Sequence, residues 1–131
     1  METFAVKTSR HDELVDITAE VQRIVARSGI ESGLCCVYTP HTTAAVTINE
    51  NADPSVRKDI ITGLSHLKLE QVNFTHGEGN SPSHIKSSLV GCSETVIIES
   101  GRLQLGTWQG IYFCEFDGPR TRSVHVKILP S

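Results

Sequence analysis

Three histidines offer most of the chemistry within reach of this sequence. His76 and His84 bracket the glycine-rich stretch His-Gly-Glu-Gly-Asn-Ser-Pro-Ser-His, and His41 follows Pro40 at a break between two apolar runs. A neutral imidazole supplies one lone pair and one N–H, and a catalytic metal centre typically needs three protein ligands with one position open. His41, His76 and His84 are therefore candidate ligands for a divalent metal, zinc or magnesium, and candidate acid–base groups. Glu50 adds a carboxylate that can serve as general base or orient His41 by a hydrogen bond. The seven residues separating His76 from His84 match no standard zinc spacing. The plainer alternative, histidines that only hydrogen-bond and fix loops, stays open.

The same segment is also a candidate anion site. Gly77, Gly79 and Asn80 precede the helix-start signal Ser81-Pro82, and free N–H groups at a helix N-terminus favour phosphate or carboxylate. His84, three residues past Ser81, falls in the first turn, where the helix dipole disfavours a protonated ring and leaves a lone pair available. Asp117-Gly118-Pro119-Arg120 reads first as a turn between strands. Arg120, with Arg122 close by, is suited to bidentate contact with phosphate oxygens, or to surface ion pairing. Trp108, between Gly106 and Gly110, reads as a core or interface anchor.

Positioning these groups falls to an α+β chain of mostly antiparallel strands with two or three helices. Residues 3–9 read as a strand. Asp16 and Thr18 offer cap oxygens to a helix that presents Val21, Ile24 and Val25 on one face and ends at Gly29. Residues 34–38 and 44–48 are β-branched or apolar strand segments around the Thr39–Thr42 break. Asp53-Pro54 opens a second helix with Val56, Ile60, Leu64 and Leu67 at helical spacing. Ser81 should cap a third, short helix with Ile85 and Leu89 buried, ending near Gly91. Strands follow at residues 94–99, 108–116 and 124–128, where Val124, Val126 and Ile128 face one way and His125 and Lys127 the other.

With 131 residues and no repeat or linker, residues 1–131 are expected to form one domain, burying roughly 68% of the surface of the unfolded chain. Twelve Lys plus Arg against fifteen Asp plus Glu give a net charge of −3, without a like-charge run, so a nucleic-acid partner is not expected. No segment has the uninterrupted apolar length of a signal peptide or membrane span, which places the expected location in the cytoplasm. The four cysteines include no CxxC pair and are expected to be reduced, mostly buried thiols.

Three stretches together carry a resemblance over nearly the whole chain: His41-Thr-Thr-Ala-Ala-Val-Thr-Ile-Asn-Glu50 with Asp53-Pro54, His76-Gly-Glu-Gly-Asn80 with His84, and Gly106-Thr-Trp-Gln109 leading to Glu115-Phe-Asp-Gly-Pro-Arg120. The sequence resembles the YjbQ-like family, which is labelled secondary thiamine-phosphate synthase. That resemblance implies an α+β homotrimer. It also implies transfer between a pyrimidine methyl diphosphate and a thiazole phosphate with loss of pyrophosphate. The dedicated enzyme for that step is a TIM barrel, a fold of about 250 residues, so activity here would be convergent. The expected function is that of an enzyme acting on a small phosphorylated metabolite; the alternatives are a metal-dependent hydrolase and a non-catalytic metabolite-binding module.

Overall fold

Alternation of inward apolar and outward polar residues makes two antiparallel sheets, and their inner faces form the main core. The computed structural model describes residues 1–131. Its strands are β1 (Glu2–Lys7), β2 (Glu13–Asp16), β3 (Gly33–Tyr38), β4 (Ala44–Glu50), β5 (Ser93–Glu99), β6 (Arg102–Leu103), β7 (Gln109–Glu115) and β8 (Thr121–Pro130). The helices are α1 (Thr18–Ser28), α2 (Pro54–Ser65) and α3 (Ser81–Val90), with a 3-10 turn at Leu69–Gln71. The larger sheet has the order β1-β8-β3-β5-β6 and the smaller β2-β7-β4. Every pairing is antiparallel.

Inward residues of both sheets, among them Val37, Val46, Ile98, Phe113 and Val124, make one cluster that Val21, Ile24 and Val25 of α1 complete. Fully burying such a side chain is worth about 1.5–3 kcal/mol, which fixes the sheets face to face. Gly29 closes α1 in the left-handed region, at φ 70°, where glycine bears no Cβ penalty. A second cluster, Leu14, Ala45, Tyr112, Cys114 and Phe116, lies behind the smaller sheet, with Ile60, Ile61, Leu64 and Val90 packed on it from α2 and α3. The fold is thus a single α+β domain in which α2 and α3 cover the smaller sheet and the outer face of the larger sheet is open.

Several expectations change. β2 has no counterpart among the expected strands, because its four residues Glu-Leu-Val-Asp are too short and polar to stand out as a strand. The first strand ends at Lys7. Ile17 takes the cap position of α1; Asp16 Oδ1 accepts instead from the N–H of Thr18, the first helical residue, at 2.9 Å. Asp53 does cap α2, accepting from the Ser55 N–H at 2.9 Å, but that helix ends before Leu67, which is exposed. Asn80, not Ser81, occupies the cap position of α3. The buried face of α3 is Ser83, Lys86 and Ser87, while Leu89 is 63% exposed. Trp108 is 62% exposed and anchors no core. Cys35 and Cys114 are buried and all four thiols are free, but Cys92 is exposed.

Candidate functional site: a polar cleft at the start of the third helix

α3 docks through polar groups because it meets backbone carbonyls at the end of the smaller sheet. Ser83 Oγ donates to Phe116 O and Ser87 Oγ to Ala44 O, each at 2.6 Å. Lys86 Nζ reaches Asp12 Oδ2 at 2.8 Å. These contacts set the N-terminal turn of α3 beside the Pro40–Thr43 segment and the turn before β8. Between them lies a cleft of about 440 Å³ with no hydrophobic residue in its lining.

His41, His76, His84, Asn80 and Arg120 all line this cleft. The His76 and His84 rings meet edge to face, with centroids 5.4 Å apart and planes at 89°. Asn80 Nδ2 donates to Asp117 Oδ2 at 3.0 Å. Arg120 holds the same residue, from Nε to Asp117 O at 2.9 Å and from Nη2 to Oδ2 at 3.2 Å. A contiguous cavity of about 600 Å³ shares Pro40, His41, Thr42 and His84 and extends to Tyr38 and Cys92.

His41 is held from the larger sheet. The Ser123 backbone N–H donates to its Nε2 at 2.9 Å, so the neutral ring carries its proton on Nδ1. Burial lowers its pKa below the ordinary histidine value, and the positive charges of Arg122 and Arg120 lower it further against an opposing pull from Glu115. His41 is therefore a neutral N–H donor near pH 7.

The remaining candidates stand differently. Gly77 is exposed, and the Gly79 N–H is spent on His76 O at 3.3 Å, closing a turn rather than opening a nest for an anion. Glu50 pairs with Gln109 at the end of β4 remote from His41; six strand rises of about 3.3 Å put it roughly 20 Å from Ala44. It does not orient His41, whose Nε2 is taken by Ser123. No group of three or more His, Cys, Asp or Glu side chains is arranged to hold a metal ion. With the His41 Nε2 lone pair already engaged, the three histidines do not fit a single-chain zinc or magnesium centre.

Arg122, named beside Arg120 as a possible phosphate contact, lines the cleft, and Glu115, which the sequence reading leaves out of the site, lies against it. Arg122 and Glu115 form a buried ion pair, with Arg122 Nε 2.9 Å from Glu115 Oε1 and Nη2 in contact with Oε2. Glu115 also accepts from Thr8 Oγ1 at 2.8 Å and from the Asp117 N–H at 3.1 Å. Burial alone would raise the Glu115 pKa; the Arg122, Thr8 and Asp117 hydrogen bonds and the Arg122 charge outweigh it and hold the carboxyl below its ordinary value. A signal for Arg122 was present in the sequence: it is in phase with the inward Val124 and Val126, so a strand reading carries its charge into the interior.

This cleft sits in a chain with clear relatives. The UPF0047 protein YjbQ-like family model matches residues 2–131. A UPF0047 protein of Methanocaldococcus jannaschii is 58% identical over 126 residues, covering 96% of this chain and 91% of that protein. The UPF0047 protein YugU of Bacillus subtilis is 52% identical, with 98% of each chain covered. Among solved structures, an uncharacterized conserved YjbQ/UPF0047-family protein from Clostridium acetobutylicum superposes with a TM-score of 0.96 at 52% identity, covering 98% of this chain and 100% of that one. A protein of unknown function from Sulfolobus solfataricus gives 0.94 at 34% identity, over 99% and 96%. By the match along its length and these close relatives, the chain belongs to the UPF0047 YjbQ-like family.

Proposed function

We propose that the cleft binds the phosphoryl end of a small phosphorylated metabolite and is the place where that metabolite is chemically transformed. The observation that carries this reading is the convergence of three histidines and two arginines on a cleft with no hydrophobic lining. The Arg120 side chain is 51% exposed, so its contact with Asp117 can be exchanged for a phosphate oxygen at little cost. His41 supplies a neutral N–H. The His76 and His84 pair, on the loop and first turn of α3, supplies ring nitrogens able to donate or accept a proton.

Such a site favours reactions in which phosphate or diphosphate departs, since fixed donors aimed at developing negative charge lower the barrier without a protein nucleophile. Joining a pyrimidine methyl diphosphate to a thiazole phosphate, the reaction implied by the family resemblance, is one member of that class. The test is calorimetric titration with inorganic pyrophosphate, followed by assays on a panel of phosphate and diphosphate esters including that pair. Saturable binding, weakened by His84→Ala, and turnover on at least one ester are expected. Pyrophosphate binding that His84→Ala leaves unchanged removes the cleft from consideration, and binding without turnover on any ester reduces it to a metabolite-binding module.

A further inference from the structure

Of the two arginines at the cleft, the exposed one is the obvious anion contact and the buried one looks structural. Their hydrogen bonds give the buried one the firmer hold on an anion. Arg120 is half-exposed and already occupied by Asp117 through both Nε and Nη2. Arg122 is only 3% exposed, yet it lines the cleft.

A guanidinium has five N–H donors on three nitrogens. In Arg122, Nε donates to both Glu115 oxygens at 2.9 and 3.1 Å. Nη2 donates to Thr43 Oγ1 at 2.8 Å and contacts Glu115 Oε2. These bonds come from two sides and fix the plane of the group. The third nitrogen, Nη1, makes no hydrogen bond within the chain, and it is not among the buried polar atoms that lack a partner, which are Arg57 Nε and Asn80 Oδ1. Nη1 is thus the open end of an otherwise buried and immobilised cation, and the cleft is where that end emerges.

The next residue fixes a second donor. Ser123 donates its backbone N–H to His41 Nε2, which leaves the Nδ1–H of the neutral ring as the hydrogen that His41 can offer. Adjacent residues of β8 therefore set both donors, Arg122 by carrying one and Ser123 by holding His41, and neither donor has an acceptor to offer in these states.

We infer that Arg122 Nη1 and His41 Nδ1 form a preorganised pair of donors that holds an oxyanion, a phosphoryl group, on the floor of the cleft, with Glu115 as the positioning residue that aims Arg122. This rests on the phosphoryl reading of the cleft and specifies which residues do the holding. Arg120 then guards the entrance, exchanging Asp117 for ligand as the anion arrives. The pair selects acceptor oxygens over ammonium groups, because a ligand group with no lone pair would face N–H groups on both sides. Its side-chain ordering is complete before the ligand arrives, so an anion loses little affinity to immobilising it.

Calorimetry with inorganic pyrophosphate at fixed ionic strength compares wild type, Arg120→Ala, and the double variant Arg122→Met with Glu115→Leu. Exchanging both members of the ion pair for apolar residues avoids stranding a lone buried charge. The double variant should lose about 50-fold or more in affinity and Arg120→Ala less than about tenfold, as expected when a charge-assisted hydrogen bond from a fixed donor is removed in one case and a solvent-exchanging contact in the other. NMR of the wild-type protein supplies a reading independent of the variants' folding: pyrophosphate should shift the Arg122 Nη and His41 Nδ1–H resonances. In Glu115→Gln, the separate Arg122 Nη signals should merge as the group rotates, and affinity should fall with them. A double variant that binds like wild type while Arg120→Ala does not, or Arg122 signals indifferent to pyrophosphate, overturns the inference and leaves the phosphoryl reading standing. Wild type that binds pyrophosphate nowhere overturns both.

Discussion

Removing the hydroxyls of Ser83 and Ser87 should loosen α3 more than any change on its apolar outer side. Each hydroxyl is buried and donates at 2.6 Å to a backbone carbonyl, of Phe116 and Ala44 respectively. A buried hydrogen bond of this kind contributes about 1 kcal/mol net. The two bond to different carbonyls, so the loss for Ser83→Ala with Ser87→Ala should be about 2 kcal/mol. In a chain of this length that corresponds to a fall in Tm of roughly 6–10 °C. Leu89→Ser, on the exposed side, should stay within about 0.5 kcal/mol. Because α3 carries His84 and is capped by Asn80, the double serine variant should also bind pyrophosphate more weakly at a temperature where it remains folded. Thermal denaturation of the three proteins decides the matter. If Leu89→Ser melts lower than the double serine variant, α3 is held by its apolar residues and the polar docking described for it is wrong.

Other expectations concern single positions and assembly. His41 should titrate below 6.5, its ordinary value. The unfolded chain then takes up this proton first, so the His41 contribution is intact above pH 6.5 and declines as pH falls from there through the folded value; an NMR midpoint at or above 6.5 would contradict this. Gly118→Ala would place a Cβ 2.3 Å from Arg10 O and 2.9 Å from Thr8 Oγ1, and denaturant unfolding should register a loss of about 1–3 kcal/mol. The homotrimer implied by the family resemblance would cover the open face of the larger sheet, where Leu129, Leu34 and Ile97 stand side by side in register, each at least 44% exposed. Light scattering should give three times the mass of one chain, falling towards the monomer in Ile97→Lys; a wild-type monomer at micromolar concentration would remove the trimer.

What the sequence made legible was the part of the fold governed by local periodicity. The Val21, Ile24 and Val25 stripe, the Gly29 stop, the Asp53-Pro54 start and the alternation in β8 each depend on residues a few positions apart, and each has its counterpart in the structure. The inner face of α3 differs from the sequence expectation because periodicity assumes that a helix buries its apolar side. This helix meets strand ends, where unpaired carbonyls need donors, so serine and lysine go inside. His41, His76 and His84 were grouped from position alone and do share one cleft. Glu50 is paired with His41 on chemistry, as a carboxylate able to orient the ring, but the extended strand β4 between them turns their sequence separation into distance. The Glu115–Arg122 pair was missed as a unit: each residue falls in its own strand, and only the packing of the two sheets explains why two opposite charges belong indoors.

The place of β8 in the larger sheet also determines when this protein can fold. The strand made from residues 121–130 sits between β1, more than a hundred residues earlier in the chain, and β3. During synthesis, β1 and β3 therefore emerge as neighbours of a strand that does not yet exist, each with an unpaired edge. The smaller sheet, whose central strand β7 ends at Glu115, is available somewhat earlier, but its core-facing side has nothing complete to pack on. Vectorial, piece-by-piece folding is closed to such a topology, and most of its strand pairings span long sequence separations, which slows closure. Until β8 is made, a nascent chain of this topology exposes the unpaired edges of β1 and β3 to its neighbours, and a premature stop near residue 120 removes not a fringe but a keystone.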